Sequence, residues 1–521
     1  MKDTLSSVKK RRLGYAAILL GILTVYLLRA TASSLWFDEA IEYYYSGAQS
    51  GAVPGARSGH SMYERILFTF QPPLYNWLMC GWLLIWDSEF WFRLAGILVT
   101  FIGGAGIYLA LNEITDENWA AAGSAVYLLA GGVSEYALEA GEYNLLMGMM
   151  CWALCFYLRA LKKENAASLI GFFVFACLAA YSQYGAVFLI VPMYVSLLLH
   201  FVKRKKMIKE MFFFSLFAAA AAVLLVTLFL LPQMQNQGSA AVSHAPVFAN
   251  GAVDVFVALA KTAAFTFNGG KWVQPATVLP AGALLLFALL KKNRMLIHLL
   301  VLFFSGWIVY YFLTACSIYG YNGTWNPGSL GTANIGGRYS LVFAPLLAVA
   351  TVYGVYCACA QRTEKEKDGS TAKKLTAAAL CLFVAYSAVG IWSILATKPK
   401  DDVRDVVDVW YAEEGYKSQT LLNKWDDPIF SFYLTHHPDY HEAYEENIHL
   451  GSWWSGASKA QIEKKLASLG LLDADEFYYV SKISENYEKQ YRTFVQLVTD
   501  LGFTIEEPYH GMSGLIHAVK Q

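Results

Sequence analysis

Stretches of about 20 mostly apolar residues, the length that crosses a bilayer, recur from Leu13 to Ala396. A soluble chain of this length would show a polar face at every helical turn. Here the runs are apolar all round, so the expected solvent for this part is lipid. The runs are Leu13–Leu35, Phe92–Leu111, Trp119–Val133, Tyr143–Leu161, Ala166–Tyr181, Gly185–Val202, Phe212–Leu231, Trp272–Leu290, Met295–Ala315, Arg338–Ala360 and Leu375–Ala396. They predict a mainly α, polytopic membrane helical bundle of about 11 spans, or about 13 if the long loops are split.

Orientation follows from the basic clusters. Lys9–Arg12, Lys162-Lys163, Lys203–Lys206, Lys291–Arg294 and the charged linker Gln361–Lys374 all fall on one side in this count. Basic flanks stay cytoplasmic, which puts the N-terminus inside and the C-terminus outside. The apolar run from Leu13 is too long for a cleavable signal and has no small-residue cleavage site. The piece Pro72–Trp86 is short for a span and is expected to lie in the outer interface, its Trp residues at headgroup level. If it crossed, every later basic cluster would land outside.

After Lys398 the composition changes, and short apolar strands alternate with polar helices. Asp402–Glu413 and Glu485–Leu501 are expected as helices, Glu476–Val480 and Leu515–Val519 as strands. The expected organisation is a membrane domain over residues 1–397, with its first outer loop at 36–91, and a small soluble α/β domain over 398–521 on the outer side. Formal net charge is +0, which argues against nucleic acid as a partner. The eight cysteines have no CxxC pair and no ligand spacing with His. Most, such as Cys151, Cys155, Cys177 and Cys381, lie in apolar runs and are expected as free buried thiols.

Polar residues that could carry chemistry collect at the outer ends of the runs. Asp38 and Glu39, in Trp36-Phe37-Asp38-Glu39-Ala40, stand where the chain leaves the first run. A carboxylate there can orient or deprotonate an acceptor hydroxyl or amine. Either could also hold a divalent ion, and a solvated loop start is the competing reading. Gln71 precedes Pro72-Pro73, which fix an extended entry into a helix starting near Leu74 and carrying Tyr75. Glu135, Glu139 and Glu142, with Tyr136 and Tyr143, sit at an outer turn. Glu135 and Glu139 would share a face if the turn were helical, and a hydrated turn is as good an account. Arg338-Tyr339 follow Gly336-Gly337, and a guanidinium beside exposed N–H groups suits a phosphate, although an Arg at a span end can also snorkel. Lys271 after Gly269-Gly270 has the same character. Gln183-Tyr184 end a run, as interface anchors do, or could hydrogen-bond a sugar. A transporter or lipid flippase is the alternative class. Its usual marks, ionisable residues in mid-span and inverted repeats, are not apparent. No nucleotide-binding motif is present.

In order along the chain, a first run, WFDEA, PPLYNW, an outer EY turn, YSQY at a run end, a late RY span start and a C-terminal outer part resemble one family over nearly the whole length. It is the polyprenyl-phosphate-dependent glycosyltransferases of the C-type membrane fold, near the protein O-mannosyltransferases and the lipid A aminoarabinose transferases (family 39-like). The resemblance implies inverting transfer on the outer membrane face, from a polyprenyl-phosphate-linked sugar to a lipid, glycan or protein acceptor, most simply in a bacterial plasma membrane. It implies Asp38 as the catalytic carboxylate, Glu39 supporting the acceptor side, and Arg338 with Tyr339 on the donor phosphate. Gln71, Tyr75, Glu139, Glu142, Tyr143, Gln183 and Tyr184 would line the substrate pocket. The chain departs from the family pattern at Gln71 and Gln183, where a basic or imidazole residue is usual, and at Leu138 and Gly141, where Arg is common. With fewer cations, Lys271 or a divalent metal ion would have to help neutralise the phosphate. A diverged member without catalysis is the other reading these departures allow.

Overall fold

The computed structural model describes residues 2–47, 61–69, 71–236, 252–268, 275–315, 337–363, 370–423, 426–451, 458–483 and 488–521. The chain parts into two compact units whose limits do not follow chain order. The first is Met1–Arg29, Ile66–Leu78 and Arg93–Thr397. The second is Ala30–Arg65, Met79–Phe92 and Lys398–Gln521.

The first unit is helical. Among the described residues, 8 helices are long and apolar enough to cross a membrane. Shorter apolar helices lie at Ala166–Ser182, Val255–Asn268 and Gly282–Lys291. The Glu142–Lys163 helix is 72% buried over its apolar window and Thr376–Leu395 only 11%, so the former is a core helix and the latter lies at the edge. Close packing at the core uses small residues, as in membranes generally. A Cβ on Gly103 would stand 3.1 Å from the Cα of Gly148, so the helices that carry them approach nearly backbone to backbone.

The turn from Glu142–Lys163 into Ala166–Ser182 follows from its sequence. Glu164 takes the left-handed conformation at φ 47, and the Asn165 side chain accepts the Ser168 N–H at 2.9 Å as an N-cap. Acidic residues tie the basic run ends together. Glu113 meets Arg159 at 2.8 Å and Lys163 at 3.2 Å, and Glu164 meets Lys206 at 2.6 Å.

One expected span is interrupted. The run Trp119–Val133 divides into helices Glu117–Leu128 and Gly131–Ala137, broken at Ala130, which is extended at φ −64, ψ 128. Gly131 and Gly132 weaken the helix there. Gly132 is also pressed against the Phe265 carbonyl, which a Cβ would meet at 2.4 Å. Because the second piece ends at Ala137, Glu135 and Glu139 do not share a helix. Cys381, expected buried, is exposed on its helix.

The second unit holds a five-stranded sheet of β1 (Gln419–Leu422), β2 (Ile448–Leu450), β3 (Glu476–Lys482), β4 (Phe503–His510) and β5 (Ser513–Lys520), in the order β2-β1-β3-β5-β4. β1 is parallel to β2 and β3, and the β3–β5 and β5–β4 pairs are antiparallel. Helices Lys459–Ser468 and Glu488–Asp500 supply Ile462, Leu466, Phe494 and Val498 to a core shared with Phe477, Tyr479 and Ile516. The expected helices and strands are found as Val403–Ala412, Glu488–Asp500, β3 and β5. Asp402 anchors the β4–β5 turn by accepting the N–H groups of Met512 at 2.6 Å and Ser513 at 2.8 Å.

Candidate functional site

The expected site residues divide between the two units, and each group has its own local architecture.

In the second unit, Phe37–Ser46 is a ten-residue helix with Asp38 and Glu39 in its first turn. Two acids at a helix N-terminus are favoured by the backbone dipole. Their surroundings differ. Glu39 is 1% exposed, and its Oε2 accepts the Trp36 N–H at 3.2 Å, closing the helix start. Asp38 is partly exposed, whereas Glu42, Tyr44, Tyr45 and Ser46 are buried. Asp38 is therefore the acid of this helix with access to solvent. Beyond the far end, the Arg65 guanidinium donates to the Tyr44 carbonyl at 3.2 Å, a cation at the C-terminal pole.

In the first unit, Arg338 opens a 3-10 turn, Arg338–Phe343, after extended Gly337. Its guanidinium carbon stands 5.9 Å from the Tyr143 ring centre and 5.5 Å from that of Tyr339. The two tyrosine rings are 6.3 Å apart, and Tyr136 packs on Tyr143 at 5.1 Å. A planar guanidinium stacks on aromatic faces in this way, which fixes the direction of its donor fork. Glu142 and Tyr143 begin the Glu142–Lys163 helix and are buried, as is Glu139 in the preceding turn.

The same unit holds Gln71, Tyr75, Gln183 and Tyr184. Pro72-Pro73 lead into helix Leu74–Leu83, as the prolines predict, and Tyr75 in its first turn is buried. Gln183 is buried, and its Oε1 accepts the Gly185 N–H at 2.6 Å, so it caps the turn between two helices. Tyr184 donates to Gln233 Oε1 at 2.8 Å, and Gln233 Nε2 donates to the carbonyls of Gln71 at 2.6 Å and Ile66 at 3.0 Å. Gln233, 0% exposed, thus joins Tyr184 to the Gln71 backbone. Sequence reasoning missed it; the available signal was one amide among four, with Gln235, Asn236 and Gln237, at the end of an apolar run. Among the described residues the Gln71 Oε1 is buried without a hydrogen-bond partner.

Lys271, Gly269-Gly270 and Gly336 lie outside the described residues. Among the described residues no group of three or more His, Cys, Asp or Glu side chains is arranged to hold a metal ion. The Asp38–Glu39 pair, where a divalent ion was left open, has one member already bonded to the Trp36 N–H.

Comparison with known proteins agrees with these features. The model of the dolichyl-phosphate-mannose-protein mannosyltransferase family matches residues 70–230, a stretch that includes Gln71, Tyr75, Glu139, Tyr143 and Gln183. No curated protein matches the chain. Apo ArnT from Cupriavidus metallidurans is similar in fold at TM-score 0.57 and 15% identity, covering 98% of each chain. The same protein bound to undecaprenyl phosphate gives 0.50 and 14%, covering 96% of this chain and 97% of that one. The Archaeoglobus fulgidus oligosaccharyltransferase in complex with zinc and sulfate gives 0.50 and 12%, covering 96% of this chain and 73% of that one. At these identities the likeness establishes the fold. It is the C-type membrane glycosyltransferase fold.

Proposed function

We propose that this chain, a multi-pass membrane protein of the C-type glycosyltransferase fold, moves a sugar from a polyprenyl monophosphate to an extracytoplasmic acceptor with inversion at the anomeric carbon. The observation that carries the reading is the agreement of fold over 98% of both chains with ArnT. The mannosyltransferase match over 70–230 supports it from sequence. The ArnT structure with undecaprenyl phosphate supports a lipid monophosphate as the carrier of the donor here.

Asp38 takes the proton of the acceptor hydroxyl or amine as its heteroatom attacks the anomeric carbon. The bond from that carbon to the phosphate oxygen breaks, and the lipid phosphate leaves with the electron pair. Arg338, aimed by Tyr143 and Tyr339, binds the phosphate and meets the charge that develops on it. Glu39 supports the acceptor side through the helix start that it closes. Gln71, with a buried carbonyl oxygen free to accept, and Tyr184 hydrogen-bond the sugar. Lys271 adds charge at the phosphate. A divalent ion, if recruited, would supply further charge neutralisation. The acceptor is a lipid, glycan or protein, and the membrane is a bacterial plasma membrane with the second unit outside.

Binding of undecaprenyl phosphate to the purified chain tests the donor assignment. Arg338→Ala should weaken it by about tenfold to a hundredfold, the worth of a charge-assisted hydrogen bond. Equal affinity of wild type and variant would leave Arg338 as a headgroup anchor and remove it from the mechanism.

A further inference from the structure

A ten-residue helix is marginal by itself in water, because helix nucleation is costly, so Phe37–Ser46 must be fixed by tertiary contacts. One neighbour, helix Asp427–His436, supplies contacts on both sides of Asp38. Ahead of the helix, the Tyr433 hydroxyl accepts the Leu35 N–H at 2.6 Å. Near its end, the Tyr43 ring meets Phe432 edge to face at 4.8 Å, and the Tyr44 hydroxyl donates to the Pro428 carbonyl at 3.3 Å.

The Tyr43 end is also tied by a hydrogen bond. Its hydroxyl donates to Asp87 Oδ2 at 2.7 Å. Asp87 Oδ1 lies 3.3 Å from His436 Nε2. His436 Nδ1 stands 2.7 Å from the Phe432 carbonyl, which can only accept, so Nδ1 donates there, and Asp87 Oδ1 has no hydrogen-bond partner among the described residues. The Phe432 ring stacks on the imidazole at 4.2 Å. Burial and the Asp87 charge raise the Tyr43 hydroxyl well above its usual range, so it stays a donor.

We propose that Tyr433, Tyr43 and Asp87 are positioning residues that clamp the Asp38-bearing helix at both ends and so set where that carboxylate points. Tyr43 is five residues beyond Asp38, about 7.5 Å along the axis. With Leu35 held on the other side, neither sliding nor rotation of the helix is free. Misplacing a reacting group by about 1 Å costs on the order of a hundredfold in rate. The clamp should therefore be read in turnover rather than in donor affinity. None of these residues touches the substrate in this account, and the inference rests on Asp38 being the catalytic carboxylate.

The test compares Tyr43→Phe, Asp87→Asn, Asp87→Ala and Tyr433→Phe with Asp38→Asn in one sugar-transfer assay, using the full-length purified protein and normalising to folded material. Tyr43→Phe keeps the ring and its packing, so it remains informative if Asp87→Ala fails to fold. Tyr43→Phe and Tyr433→Phe should lower kcat about tenfold to a hundredfold with the donor KM unchanged within about twofold. Asp87→Asn keeps an acceptor for Tyr43 and should recover much of the loss seen in Asp87→Ala. The clamp is overturned if Asp38→Asn is inactive while the tyrosine variants keep wild-type kcat. It is equally overturned if their loss is only a loss of folded protein. Wild-type turnover by Asp38→Asn would instead sink the assignment of Asp38 itself.

Discussion

Gln233 illustrates how a single buried amide can organise a region. It accepts from Tyr184 and donates to two backbone carbonyls, at Gln71 and Ile66. Gln233→Ala would remove three hydrogen bonds from a buried place, at about 0.5–1.5 kcal/mol each, while the Ile66 carbonyl keeps its bonds from Thr69. A clear fall in the unfolding midpoint of the purified protein is expected; an unmoved midpoint would mean the three bonds contribute nothing. The residues read from sequence and those missed differ in their partners. Asp38, Glu39 and Arg338 were legible because charge is rare beside apolar runs. Gln233 was not, because two of its partners are backbone carbonyls, which every residue has. His436 and Asp87 were not, because their pairing spans most of the chain and neither stands in a motif.

At the scale of elements, the strands were legible in proportion to burial. β3 reads as a continuous apolar run because its five middle residues are buried, and β5 is buried over most of its length. β4 is largely exposed, and its Thr504, Glu506 and Glu507 gave no apolar signal; β1 and β2 have only 4 and 3 residues. Where the parallel strands end, Asp401 and Asp426 are both fully buried, with Lys482 Nζ 2.7 Å from Asp401 and the Lys482 N–H donating to Asp426 at 2.8 Å. Burial, with the Asp401 charge beside it, pushes the Asp426 carboxyl up to about 7. Its folded value lies above its unfolded one. Its contribution to stability is therefore fully present below the unfolded carboxylate range, about 4, and is lost as pH rises through about 7. Asp426→Asn cannot ionise, so its unfolding midpoint should fall less than that of the wild type between pH 5 and pH 8. Parallel curves for the two proteins would contradict this.

For the whole molecule, the membrane spans were the most legible feature, since lipid permits few backbone solutions other than the helix. The split of Trp119–Val133 at Ala130 was missed because Gly131 and Gly132 are common in membrane helices, and only the close approach of Phe265 gives them their meaning. With the C-terminal part outside, Lys464→Cys, at an exposed position, should react with an impermeant thiol reagent in intact cells. Labelling only after lysis would reverse the orientation.

The most direct measurement is sugar transfer by the purified protein in liposomes, supplied with a polyprenyl monophosphate sugar and an acceptor and followed by release of the free lipid phosphate. The account predicts release by the wild type and none above background by folded Asp38→Asn. Release at the wild-type rate by that variant would contradict it.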